Sequence, residues 1–353
     1  MGAKRAAISV EPAEPADAVP AEPPRTARSG RAPVRGSLFT PMTARIVALL
    51  ALGIFFSIRS PFFLTSSNLV NVTLNIVVVG IVAAPLTLLL VARQVDISVG
   101  SAVAFAATTL AVVVQGGLGL AIAIPAAVGA AMLVAAINAV AVTRLRVNSL
   151  IATLGTLAAF RGLAKLLGGG QNIPVDDFTF LGRARVDAFG IGVPVAVFIL
   201  LVILAAFSII MSSTRFGRHM YAMGANPKAA RLAGIGLERN VVVAFLLTGA
   251  TTGLAALIVV SQLGAISPTT AQGLELLAIT GIILGGASLS GGRGTIAGTL
   301  VAILILAVLD NGLTLLRVTS FWQEVVRGGL LVAAVALDQL RLSRGKVDVR
   351  FEL

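Results

Sequence analysis

Long apolar runs, each closed by a short polar or basic segment, organise the chain from residue 44 onward. A membrane-spanning helix needs about 20 consecutive, mostly apolar residues. Ten stretches meet or approach that requirement: 44–62, 69–92, 97–114, 118–143, 149–167, 192–212, 240–262, 273–291, 294–316 and 321–340. The third and the eighth are short, and Gly-rich sequence lies close to both. They read as partial or broken helices, which are tolerated only where protein or a water-filled cavity covers the freed backbone groups. The pattern predicts an all-α polytopic membrane protein of about ten transmembrane helices.

Composition agrees. Of 353 residues, 57% are hydrophobic and 12% charged, and the mean hydropathy is +0.98, far above that of a soluble domain of this size. The formal charge is +12. With the N-terminus in the cytoplasm, and Arg45 and Arg59 counted with the span ends that they flank, 20 of the 27 Lys and Arg fall inside, 4 fall outside and 3 (Arg161, Lys165 and Arg327) fall within spans. That asymmetry is the positive-inside rule, and it predicts a multi-pass membrane protein with both termini cytoplasmic. Residues 1–36 are rich in Pro, Ala, Glu and Arg, too poor in large apolar side chains to offset their ordering entropy. They are expected to be a disordered cytoplasmic tail. Residues 37–341 form the transmembrane domain, 212–240 a polar loop within it, and 342–353 a second cytoplasmic tail.

The order of the spans allows 2–5 and 7–10 to be related as an inverted repeat, because an offset of five reverses direction across the membrane. Small residues pervade the spans, as in "TGATTGLAA" and "GIILGGASLSGG", and small side chains let helices approach closely in lipid. Polar groups inside the membrane are costly and invite a functional reading. Asn75, Asp96, Ser98, Asn138, Thr153, Thr156, Arg161, Gln262, Glu275 and Asn311 are the candidates for a translocation path. Most are amides and hydroxyls, which both donate and accept and so suit a neutral, hydroxyl-rich solute better than an ion. Interhelical hydrogen bonding, worth under about 2 kcal/mol each, is the competing explanation for any one of them.

Several chemistries are excluded. The chain has no Cys and one His, His219, so neither thiolate metal sites nor histidine catalysis are supported. No G-x-x-x-x-G-K-[ST] or G-x-S-x-G sequence occurs, which leaves no nucleotide or acyl-transfer motif. One Trp and one Tyr cannot build a base-stacking face, and nucleic acid is not an expected partner. No cofactor or metal is expected on this chain, and it is not expected to be an enzyme.

Four stretches carry a resemblance: "VDISVGS" at 95–101, "IATLGTLAAFRGL" at 151–163, "FGRHMYAMGANPKAARLAGI" at 216–235, and 273–316 from "GLELLAIT" to "DNGLTLL". In this order they resemble the membrane permease of bacterial ABC importers for monosaccharides, the ribose/xylose/autoinducer-2 type, over residues 44–341. Arg93 and Gln94 stand where that family often has glycines, a feature closer to its autoinducer-2 and rhamnose-like members. The resemblance implies a partner ATPase that holds ATP and Mg, a second permease chain in a homo- or heterodimer, and a periplasmic or lipid-anchored sugar-binding protein. It also implies that the loop after span six forms helices that couple to the ATPase, through Phe216, Gly217, Arg218, Tyr221, Ala222, Gly224, Asn226, Ala229, Ala230 and Gly234. The residues themselves fit that role: two short helix-compatible pieces break at Gly224, Asn226 and Pro227, and Ala229, Ala230 and Leu232 offer a small apolar face ringed by basic residues. The outer segment 168–191, with Asp176, Asp177, Arg183, Arg185 and Asp187, is the candidate contact for the binding protein. A self-sufficient secondary sugar transporter or channel is the alternative; it would explain the spans but would not need the docking loop.

Overall fold

Ten apolar helices carry the architecture. The computed structural model describes residues 41–175, 178–188 and 191–347, with Gly2. The rest of the tail 1–36, Asp176, Asp177 and residues 348–353 lie outside the described residues. Among the described residues, eight helices are long and apolar enough to cross a membrane: α1 (Pro41–Arg59), α2 (Ser66–Val91), α4 (Leu120–Thr143), α5 (Ser149–Leu167), α7 (Val195–Ser213), α10 (Leu237–Leu263), α12 (Ile296–Leu315) and α13 (Ser320–Val347). Two apolar helices are shorter, α3 (Val99–Gln115) and α11 (Leu274–Leu284). They correspond to the third and eighth predicted spans.

Local chemistry sets the differences from the predicted bounds. α1 stops at Arg59 because Pro61 follows two residues later and cannot continue a helix. α11 ends at Leu284 rather than near 291. Gly285 and a left-handed Gly286 close it, with Gly286 N–H donating to Ile283 O and Ala287 N–H to Ile282 O, a glycine stop that satisfies the last carbonyls. α7 starts at Val195 because Ile191–Pro194 (β3) pairs antiparallel with Arg185–Ala188 (β2). A second small pair joins Ile173–Pro174 (β1) to Ala265–Ile266 (β4), and a single turn, α6 (Phe180–Arg183), lies between them in sequence. α8 (Arg215–Ala225) and α9 (Pro227–Leu232) occupy the polar loop after α7.

α2 and α10 are the most buried of the long helices, and their apolar side chains dominate the core. α10 lies along α4, and the approach is made by small residues. A Cβ on Gly249 would stand 2.6 Å from the Ala135 Cβ, and one on Gly253 would stand 2.9 Å from the Val128 Cα. These two glycines, four apart on one face, are the "TGATTG" of the sequence acting as a packing seam. α1 and α13 turn most of their apolar side chains outward, including Leu50, Ile54, Phe321 and Val332. That surface fits a lipid environment, where an all-round apolar helix needs no water-facing side.

Candidate functional site

The sequence places three asparagines at 68, 71 and 75, the i, i+3, i+7 spacing that lines one face of a helix. On α2 this stripe faces a cavity of about 930 Å³, bounded by the first half of α2, the second half of α12, the end of α10, α6 with β2, and α13. Its polar lining includes Asn71, Asn75, Gln262, Asn311, Thr314 and Gln323, with Arg183, Arg185, Asp310 and Arg327. Three of the four charged groups lining it are paired or hydrogen-bonded. Arg327 Nε donates to both Asp310 oxygens at 3.0 Å and its Nη2 lies 2.9 Å from Oδ2, while Arg183 Nε donates to Gln262 O at 3.2 Å. The amides differ in what they have left to offer. Asn68 and Asn311 bond to each other. The Gln262 Nε2 is buried without a partner. Amides that can both donate and accept, in a volume within the roughly 300–1,000 Å³ of small-molecule pockets, suit a neutral polyhydroxyl solute.

The predicted path residues fall into three groups. Asn75, Gln262 and Asn311 meet at this cavity. Asp96, Ser98, Asn138 and Thr156 form a buried hydrogen-bond chain instead. Ser98 donates from its N–H (2.9 Å) and its Oγ (2.6 Å) to Asp96 Oδ1, Asn138 Nδ2 donates to Ser98 Oγ at 2.8 Å, and Thr156 Oγ1 donates to Asn138 Oδ1 at 2.8 Å. Thr153 stands beside this chain and donates to Ser149 O at 2.8 Å. The chain ties the segment before α3 to α4 and α5, so these side chains satisfy one another. Arg161 and Glu275 make the third group. Arg161 Nη1 donates to Pro268 O at 3.1 Å and Thr270 O at 2.8 Å, fastening the strand-to-helix segment before α11. Glu275, in the first turn of α11, packs its Oε2 against Gly100 in the first turn of α3, and that oxygen has no hydrogen-bond partner.

The other end of α2 meets α8, which leads into α9. Thr214 caps α8 by accepting from Gly217 N–H at 3.1 Å, and Asn226 caps α9 by accepting from Ala229 N–H at 3.1 Å with Pro227 in the first turn. These are ordinary N-cap choices, legible in sequence. Gly217, Gly224 and Ala230 are buried, and Phe216, Tyr221 and Ala222 pack partly against the core. Tyr221 Oη donates to Gly294 O at 2.7 Å. Burial pushes its phenol pKa up, which keeps the proton that it donates. Arg218 Nη1 donates to Ser213 O, and Gly234, at a φ of 78°, closes α9. The apolar face expected of Ala229, Ala230 and Leu232 is divided: Ala230 is 4% exposed and points into the core, whereas Ala229 is exposed and Leu232 is 90% exposed. Beside α9 lies a second cavity of about 740 Å³, lined by Gln94, Arg146, Arg231, Glu238 and Arg239 among others.

Sequence reasoning missed Asn68, Asn71 and Gln323. The first two were available as the helical stripe with Asn75. Gln323 carries no such signal, because its place follows from how α13 returns to α12.

Known proteins resemble the chain over most of its length. Residues 68–335 match the family model described as "Branched-chain amino acid transport system / permease component". The chain is 34% identical over 302 residues (85% of this chain, 90% of the relative) to the probable ABC transporter permease protein YphD of Escherichia coli K12. It is 35% identical over 299 residues (83% and 92%) to the ribose import permease protein RbsC of the same strain, and 33% identical over 296 residues (84% and 87%) to the L-arabinose ABC transporter permease protein AraH of Azospirillum brasilense. No solved structure matches the chain. The polytopic helical architecture and the match across most of the chain place this protein in the branched-chain amino acid transport system permease family, to which it belongs as a multi-pass membrane protein.

Proposed function

We propose that this chain is the transmembrane permease subunit of an ATP-binding cassette importer and translocates a monosaccharide across the bacterial inner membrane. The observation that carries the reading is that α2 joins an amide-lined cavity at its first turns to a half-buried helical pair, α8–α9, beyond its last. Relatives named as ribose and L-arabinose permeases support a monosaccharide, and the class proposed is the ribose, xylose, rhamnose or autoinducer-2 kind. ATP and Mg are held by a cytoplasmic partner ATPase, and this chain performs no chemistry. A second permease chain completes the pathway, and a periplasmic or lipid-anchored binding protein delivers the sugar at the outer face, where Arg183 and Arg185 border the cavity. Both termini and α8–α9 are cytoplasmic in this reading, with 37–341 as the membrane domain. The matching order of lengths, a long helix then a short one in α2–α3 and α10–α11, favours the inverted repeat of spans 2–5 and 7–10.

The test is affinity isolation of the tagged chain from its native membrane in mild detergent, followed by an assay for ATP hydrolysis. A P-loop ATPase that co-purifies in fixed proportion and is lost when 214–235 is disrupted supports the reading. A chain that purifies alone and moves sugar into vesicles without ATP would instead make it a secondary transporter.

A further inference from the structure

Arg93 stands where α2 meets α8. It lies just beyond Val91, the last residue of α2, with a φ of 62°, a left-handed backbone that glycine adopts freely and arginine does not. Strained residues of this kind persist where their surroundings over-determine them. Its surroundings are the end of α8. Arg93 Nε donates to Gly224 O at 2.6 Å and Nη2 to Ala225 O at 3.1 Å. Gly224 and Ala225 are the last two residues of α8, whose carbonyls have no partner within the helix and carry the negative end of its dipole. A guanidinium presents donors in a fixed fork and suits two adjacent carbonyls better than a single ammonium would.

The backbone fit is equally close. Gly292 N–H donates to Val91 O at 2.8 Å, and a side chain on Gly224 would collide with Val91 O and Gly292 N. The end of α2, the end of α8 and the turn between α11 and α12 therefore form one joint with no slack. From that joint α2 runs back past Pro85 for about 24 to 35 Å at 1.5 Å per residue to the stripe of Asn75, Asn71 and Asn68 at the cavity.

We infer that Arg93 is a positioning residue for energy coupling: it latches the C-terminal end of α8 to α2, so that displacement of α8 by the ATPase is delivered to the helix that carries the amide stripe. This rests on the importer reading above, in which α8–α9 engages the ATPase. Arg93 touches neither sugar nor ATPase in this scheme.

The experiment compares the whole reconstituted importer, permease with its ATPase and binding protein in proteoliposomes, carrying wild type, Arg93→Gly or Arg93→Lys. Arg93→Gly removes the fork and also the backbone strain, so a loss cannot be assigned to a strained fold. The expected result is a complex that purifies with wild-type ATPase stoichiometry but moves at least about fivefold less sugar per ATP hydrolysed, the low end of coupling between distinct sites. Arg93→Lys, which keeps the charge and loses the fork, should fall between. Hydrogen exchange at the last turn of α8 should rise in the glycine variant. An unchanged sugar-to-ATP ratio overturns the latch. So does a loss of the ATPase subunit from Arg93→Gly, because Arg93 would then support docking rather than transmission. If the wild-type assembly moves sugar without ATP, the importer reading itself fails, and the latch with it.

Discussion

Asn68 and Asn311 stand 243 positions apart and exchange both side-chain amide hydrogen bonds: Asn68 Nδ2 donates to Asn311 Oδ1 at 2.9 Å, and Asn311 Nδ2 donates back to Asn68 Oδ1 at 2.8 Å. Asn68 Nδ2 also donates to Phe63 O at 2.9 Å. The pair pins the start of α2 to the end of α12 in the wall of the cavity. Because each amide satisfies the other, removing one leaves a buried polar group unpaired, at a cost of about 1–3 kcal/mol. Asn311→Leu should therefore lower the thermal midpoint of the detergent-purified protein, measured by fluorescence-detected size exclusion. The double variant Asn68→Leu/Asn311→Leu should recover much of the loss. A double variant less stable than the sum of the two singles would show that the pair is not the unit that matters.

Gln262 and Asn75 differ from that pair in having capacity to spare. The Gln262 Nε2 is buried without a partner, and Asn75 is exposed on the cavity side of α2. If a sugar hydroxyl completes the Gln262 set, then Gln262→Leu should raise the half-saturating sugar concentration for uptake by about tenfold, the equivalent of one hydrogen bond near 1.4 kcal/mol, with expression unchanged. Asn75→Ala should act in the same direction. Binding-protein-dependent uptake over a range of sugar concentrations checks both, and an unaltered concentration dependence in both variants would remove the cavity from the sugar's path.

The α4–α10 seam makes a prediction about stability alone. Gly249 and Gly253 lie where side chains would overlap Ala135, Met132 and Val128. Gly249→Leu should overpack the contact at a cost of about 1–3 kcal/mol and lower the yield of folded protein, while Gly249→Ala should be milder. Equal melting behaviour of Gly249→Leu and wild type would mean that the seam can open without penalty.

How much of this was legible in sequence depends on whether the signal is local. The ten apolar segments, the caps Thr214 and Asn226, and the Gly–Gly stop after α11 each depend on a few neighbouring residues, and so could be read or understood from them. The two short helices were recognisable by their length and by the glycines near them. The grouping of the polar residues was not legible, because it depends on contacts between distant segments. Asp96, Ser98, Asn138 and Thr156 look like path residues in isolation, yet they spend their hydrogen bonds on one another. Asp310 and Arg327, which look like two intramembrane charges, form one neutral pair. Arg93 could be seen as unusual, but its partners, the carbonyls of Gly224 and Ala225, are more than 100 residues away.

Ala229 and Ala230 are neighbours on the same short helix with opposite surroundings, and that contrast separates docking from folding. Ala230 is 4% exposed and packs in the core cluster, whereas Ala229 is exposed beside Leu232. A carboxylate at 230 would be buried without a partner, which is strongly destabilising. One at 229 would stay in solvent and leave the Asn226 cap intact, because Ala229 contributes only its backbone N–H to it. Ala230→Glu should therefore lower the amount of folded permease in the membrane. Ala229→Glu should leave that amount unchanged but release the ATPase and abolish uptake, as a charge placed on an apolar docking knob would. Membrane abundance, co-purified ATPase and uptake, measured side by side for the two variants, resolve the two effects. If Ala229→Glu retains both the ATPase and full uptake, the exposed face of α9 is not the docking surface, and contact must lie elsewhere on the α8–α9 segment.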